Sequence, residues 1–161
     1  MKLYTLRVDE AWQESKLSLV RTALEAQNSL VPRIAGARVL VVEDEPDARE
    51  FLAELLATRG AHVDVVGSVA EAYEKLNCGL PDVIVSDIGM PGVDGYEFAR
   101  GLRSLPHERG GRTPLVALTA YTSPQDRRRA FDAGYDHHLP KPVDTDELVR
   151  VLERLVGARV G

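Results

Sequence analysis

At 161 residues, the chain can hold one domain with a full core plus one further element, and its 44% hydrophobic and 28% charged residues are ordinary for a globular protein. A formal net charge of −5 leaves no basic surplus to neutralise phosphates, so direct nucleic-acid binding is not expected. No apolar run reaches membrane-spanning length, no signal peptide follows Met1-Lys2, and the lone Cys78 has no internal disulfide partner, so a cytoplasmic location without a membrane partner is expected.

Asp9 to about Ser29 reads as a helix, with Leu17, Val20 and Leu24 on one stripe and Trp12, Leu19 and Ala23 nearby, and Leu30 to Gly36 reads as a linker. Two readings of this helix stay open: it packs on the following domain or frays, or it dimerises or binds a partner. From Arg38 the pattern changes. Arg38–Glu43 is a continuous apolar run, as in a strand covered on both faces, and Pro46 opens a helix to Arg59 with Phe51, Leu52, Leu55 and Leu56 on one face. A strand at His62–Val66 precedes a helix at Ser68–Asn77, whose Ser68 and Glu71 have capping-box spacing. Asp82–Asp87 is the third strand, and Asp94-x-x-Glu97 starts a helix through Arg103. Pro106–Arg112 enters the fourth strand, Pro114–Thr119, from its amino end, and so reads as variable surface away from any site. Ser123-Pro124 opens a helix whose Arg127–Arg129 run reads as a solvated face, a strand lies near Tyr135–Leu139, and Asp144-x-x-Glu147 caps a last helix to about Val156.

Five strand-then-helix units in about 120 residues imply a doubly wound α/β fold: a five-stranded parallel sheet with helices on both faces, preceded by an N-terminal helical extension. The expected division is an extension and linker over 1–36, a domain over 37–157 and a tail over 158–161. In such sheets the ligand site lies beyond the carboxyl ends of the strands, which directs attention to Glu43, Asp44, Asp87, Thr119 and the residues after Leu139. Carboxylates converging there repel unless a cation sits among them, and all-oxygen donors suit Mg²⁺ or Mn²⁺. Glu43-Asp44-Glu45 alone reads as an acidic helix start; Asp87 ending a separate strand shifts the balance. With the ammonium of Lys141 and the hydroxyl of Thr119, these are the parts of an in-line phosphoryl transfer. His137 and His138 point to opposite faces of a strand and do not form a metal pair.

The runs Val-Leu-Val-Val-Glu43-Asp44-Glu-Pro, Val-Ile-Val-Ser-Asp87-Ile-Gly-Met-Pro-Gly-Val-Asp-Gly95, Ala-Leu-Thr119-Ala and Leu-Pro-Lys141-Pro142, in this order over about 37–157, resemble the response-regulator receiver family of two-component signalling. The resemblance implies the CheY-like strand order 2-1-3-4-5, with Pro140 in or just after an edge strand. It implies that Asp87 accepts a phosphoryl group from a partner histidine kinase or phosphotransfer protein. Mg²⁺ (or Mn²⁺) would be held by Asp44, Asp87 and the Gly89 carbonyl, with Glu43 helping through water. Lys141 would pair with a phosphoryl oxygen ahead of a cis bond to Pro142, and Thr119 would move to the phosphoryl group. Thr119 and the residue at His138 would form the switch, read by an unknown downstream protein at the face of the receiver's fourth and fifth helices. That face or the N-terminal helix would serve any homodimer.

Three positions depart from the pattern. Glu43 stands where aspartate is commoner, Gly89 leaves no side chain beyond the acceptor, and His138 replaces the switch tyrosine or phenylalanine, where it is expected to bring pH dependence. The expected function is thus a phosphorylation-dependent switch, not an enzyme apart from its own phosphorylation and dephosphorylation. The rivals are a phosphorylation-independent interaction module and an aspartyl-nucleophile phosphatase, the latter usually needing an aspartate where Gly89 stands. The join at Ile34–Val42 resembles that before the terminal receiver of a hybrid sensor kinase, so a stand-alone regulator and such a terminus both stay open. With no output domain after Gly161, the chain is not expected to activate transcription by itself.

Overall fold

A computed structural model describes residues 10–30, 34–90 and 92–158, without the side chains of 10–12 and 25–30. The linker residues 31–33, Pro91 of the acceptor motif, the tail residues 159–161 and the start of the extension lie outside the described residues. In chain order the elements are α1 (Glu10–Leu30), β1 (Arg38–Val42), α2 (Pro46–Thr58), β2 (His62–Val66), α3 (Val69–Cys78), β3 (Val83–Asp87), α4 (Gly95–Arg103), β4 (Leu115–Thr119), α5 (Pro124–Ala133), β5 (His137–Pro140) and α6 (Thr145–Gly157). Taken by itself, α1 exposes Leu17, Leu19, Val20 and Leu24.

All strand pairs are parallel, in the order β2-β1-β3-β4-β5. Period-2 alternation sorts each strand into two cores. Leu40 and Val42 of β1, Ile84 of β3 and Leu115 and Ala117 of β4 pack with α3, α4 and α5, while Val39, Val41, Val83, Val85, Val116, Leu118 and Leu139 pack with α2 and α6. The sheet is therefore covered on both sides, and its carboxyl edge is left open for chemistry.

Local signals fix the helix starts. The side chains of Ser68, Asp94, Ser123 and Asp144 each accept from the amide three residues on, at 2.8–3.2 Å. The box expected at Ser68 is only half closed, because the Glu71 carboxylate takes the Gly67 amide instead (3.2 Å). The complete capping box is Ser123 with Asp126.

Two segments differ from the sequence reading. Ile34, at the end of the stretch read as linker, is fully buried in the α2–α6 core, and Gly36 N donates to Gly60 O at 2.8 Å. The loop before β4 is not mere surface. After a 3₁₀ turn at His107–Arg109 it buries Gly110 and Gly111, and a Cβ on Gly111 would collide with the Leu105 carbonyl. The Arg103 guanidinium group locks this end of the fold, donating to the carbonyls of Gly111 (3.1 Å), Thr113 (2.7 Å) and Gly134 (2.9 Å) and to Asp136 (2.8 Å). Pro140 ends the edge strand β5, where a missing amide costs no ladder bond.

Candidate functional site

Four of the five strands, β1, β3, β4 and β5, deliver a group to the open edge. Glu43 directly follows β1, and its amide extends the β1–β2 ladder to Val66 O (3.0 Å), which carries the side chain inward to 1% exposure. Asp87 is the last residue of β3 and is 8% exposed; Thr119 ends β4 fully buried, and Lys141 follows β5. One oxygen from each of Glu43, Asp44 and Asp87 lies within 4.8 Å of the others. The Lys141 ammonium stands between two of these groups, 3.1 Å from Glu43 Oε2 and 3.1 Å from Asp87 Oδ2.

One cation does not balance three carboxylates. Burial raises the Glu43 carboxyl above its ordinary range, and the charge of Asp87 adds to this, against the opposing Glu45 amide and Lys141. Burial alone would lower the Lys141 ammonium, but hydrogen bonds to Asp87 and Glu43 outweigh it and hold the group above its usual value. This partly neutralised nest of hard oxygen donors suits a small divalent cation. No other such trio occurs among the described residues.

Backbone amides fix the donors. Gly89 N donates to Asp87 Oδ1 (3.0 Å), and Glu45 N to Glu43 Oε1 (3.2 Å). Lys141 N donates to Thr119 O at 2.8 Å, and the Lys141–Pro142 peptide is cis. The Thr119 hydroxyl accepts from Tyr121 N at 2.9 Å, so it is held by its own loop.

Two contributors escaped the sequence reading. Arg49 donates to the Glu43 carbonyl at 3.0 Å, tying the acidic turn to α2, and Tyr121 couples Thr119 to the following loop. Their only sequence signal is position: Arg49 three residues after Pro46, and Tyr121 two after Thr119.

His138 is buried, on the face opposite Leu139, with Nε2 3.1 Å from the Tyr121 carbonyl. Burial lowers its imidazolium below the usual range; the Tyr121 carbonyl opposes this, Arg127 adds to it and Asp126 counters it. A base disfavoured as a cation in the folded state leaves the unfolded chain binding more protons between the two pKa values. Its contribution is thus complete above about pH 6.5 and is lost as the pH falls towards the lowered value. Wild type is therefore expected to lose more of its urea midpoint between about pH 7.5 and about pH 5.5 than His138→Phe does, the other histidines being common to both. Parallel losses would refute a buried, neutral His138.

A family model described as the response regulator receiver domain matches residues 39–153. The chain is 40% identical over 121 residues to an uncharacterised 14.6-kDa protein of Leptolyngbya boryana, covering 75% of this chain and 91% of that protein. It is 39% identical over 120 residues to the response regulator Rre1 of Synechocystis, covering 74% of this chain and only 51% of Rre1, so the chain spans about half the length of that relative. Among solved structures it is similar to the receiver domain of a sensor histidine kinase from Pseudomonas aeruginosa with magnesium coordinated in the active-site cleft (TM-score 0.69, 34% identity, 76% of this chain and 99% of that one).

Proposed function

The chain belongs to the response regulator receiver family, and on that premise we propose that it is a phosphorylation-dependent switch that takes a phosphoryl group on Asp87. The observation that carries this is the Lys141 ammonium, 3.1 Å from both Glu43 and Asp87, at a nest of three carboxylates on the open sheet edge.

Asp44, Asp87 and the Gly89 carbonyl fit as ligands of Mg²⁺ or Mn²⁺, with Glu43 behind them. The metal, when bound, offsets negative charge on the transferred group. An Asp87 oxygen attacks phosphorus as the P–N bond of a phosphohistidine breaks, and the leaving imidazole departs neutral with a proton taken from solvent. Lys141 pairs with a phosphoryl oxygen. Thr119 exchanges the Tyr121 amide for the phosphoryl group, which frees the loop that His138 also holds. The receiver occupies 37–157, and its output is a changed affinity for a protein partner. The phosphatase reading is weaker, because Gly89 offers no acid.

Histidine kinases and phosphotransfer proteins are the donors expected for this family. Beside the crevice lies an apolar hollow of about 350 Å³, which Lys141 lines together with Leu52, Pro142, Val143 and Phe51; Phe51 is 51% exposed. On this reading the donor protein rests an apolar side chain in this hollow.

The test is intact mass after incubation with acetyl phosphate. One added phosphoryl group with Mg²⁺, and none with a chelator, is the expected result. Uptake without metal would overturn the proposed site. With a phosphorylated phosphotransfer protein as donor, Phe51→Ala is expected to slow uptake while leaving acetyl phosphate uptake unchanged; equal rates with the protein donor would exclude Phe51 from the docking surface.

A further inference from the structure

We propose that the groove between α4 and α5 is a second docking surface, built for an acidic segment of a protein partner with an aromatic residue at its upper end. Two hollows of about 360 Å³ and about 420 Å³ share Arg129 and together run from the phosphoacceptor loop down the two helices. The lower one is lined by Arg100 of α4 and by Gln125, Arg128 and Arg129 of α5, with Asp132 its only acidic residue. Arg100, Arg128 and Arg129 are exposed, and Arg100 and Arg128 make no ion pair with another described residue.

The groove is prepared as well as charged. The Arg129 guanidinium carbon sits 4.0 Å above the centre of the Tyr96 ring. That stacking limits the rotamers of a long side chain and leaves its N–H groups for an acceptor. Above it, Tyr121 is 56% exposed. Arginine and tyrosine are the side chains that most often dominate binding energy at protein interfaces. The surplus lies in the lower hollow, where three guanidinium groups face one carboxylate and complement an acidic segment, while Asp94 and Asp126 line the upper hollow and leave that end to an uncharged residue.

The upper end adjoins the switch. Gly89 and Tyr121 line the upper hollow, Gly89 N bonds Asp87 Oδ1, and Tyr121 N bonds the Thr119 hydroxyl. The inference rests on the receiver reading for this coupling only: phosphorylation would change the upper wall of the groove, while the arginines below stay in place. The groove flanks the side of α5 that faces α4, away from the α5–β5–α6 face.

The test uses a short fluorescein-labelled peptide of glutamate and aspartate ending in one phenylalanine, its glutamine and asparagine counterpart, and an oligothymidylate of equal charge. Anisotropy is read with the full chain, the double variant Arg100→Glu/Arg128→Glu, and the control Arg109→Glu/Arg112→Glu, which carries the same charge change on the loop before β4. Binding of the acidic peptide to wild type and control, with at least about tenfold loss in the groove variant, is expected. Failure of wild type to bind, equal loss in both variants, or oligothymidylate binding as tight as the peptide's would each overturn the proposal. Phosphoryl uptake by the groove variant is expected to match wild type. Absence of uptake in wild type would sink the switch reading instead, leaving the peptide result to decide the groove.

Discussion

Asp87→Asn is expected to take up no phosphoryl group under conditions in which wild type gains one, a fall in rate of at least about a thousandfold, or about 4 kcal/mol in activation free energy. The carboxylate oxygen that bonds phosphorus is replaced by an amide, which is a far poorer nucleophile and carries no charge for a metal. The substitution leaves shape almost untouched. The Gly89 amide, 3.0 Å from Asp87 Oδ1, can donate equally to the asparagine carbonyl. Lys141 loses one partner at 3.1 Å but keeps Glu43 at 3.1 Å. The variant should therefore melt within a few degrees of wild type, and the lost activity would report chemistry, not unfolding. Intact mass decides the matter: uptake at the wild-type rate would move the acceptor to Asp44, Glu43 or Thr119. Removing one of three carboxylates is also expected to weaken Mg²⁺ binding by about tenfold, measured by titration calorimetry.

The sequence exposes the fold where strand burial is two-sided. Val39 to Val42 is apolar without interruption because successive side chains enter different cores, and this is visible with no structure at all. The four acidic or hydroxyl caps are similarly local, since each needs only one side chain three residues ahead of one amide. The edge strand was harder to place. Tyr135 looks like the start of β5, yet its hydroxyl donates to Gly95 O at 2.9 Å beneath α4, and the strand begins at His137. Aromatic strand propensity and tertiary burial give the same signal there. Ile34 was hidden because a short segment with proline and glycine shows no period, although its end is core. The candidate site was readable as residue types at strand ends. Its inner ring was not, because the bond from Arg49 to the Glu43 carbonyl and that from the Tyr121 amide to Thr119 use partners that no spacing rule links.

Lys141→Met is expected to lower metal-free stability by about 2 kcal/mol and phosphoryl uptake by at least about a hundredfold, with Mg²⁺ repairing the first defect but not the second. The magnitude follows from burial. Stranding a charge by deleting its buried partner costs about 3–5 kcal/mol. Here the two carboxylates are sealed, with side-chain exposures of 2% for Glu43 and 10% for Asp87, but the lysine is 32% exposed, so water already screens part of the attraction. Methionine fills much the same volume and needs no solvation, which offsets a little more. What remains is repulsion between Glu43 and Asp87, with the Glu43 carboxyl already raised by burial. A divalent cation among the carboxylates supplies the missing positive charge and, at about a hundred times its dissociation constant, adds about 2.7 kcal/mol to any state that binds it. The gap between variant and wild type in chemical denaturation should thus narrow when Mg²⁺ replaces chelator. Uptake stays low because the ammonium that meets the phosphoryl oxygen is gone. A variant as stable as wild type in chelator would show that Lys141 does not hold the carboxylates together, and unimpaired uptake would remove it from the transfer.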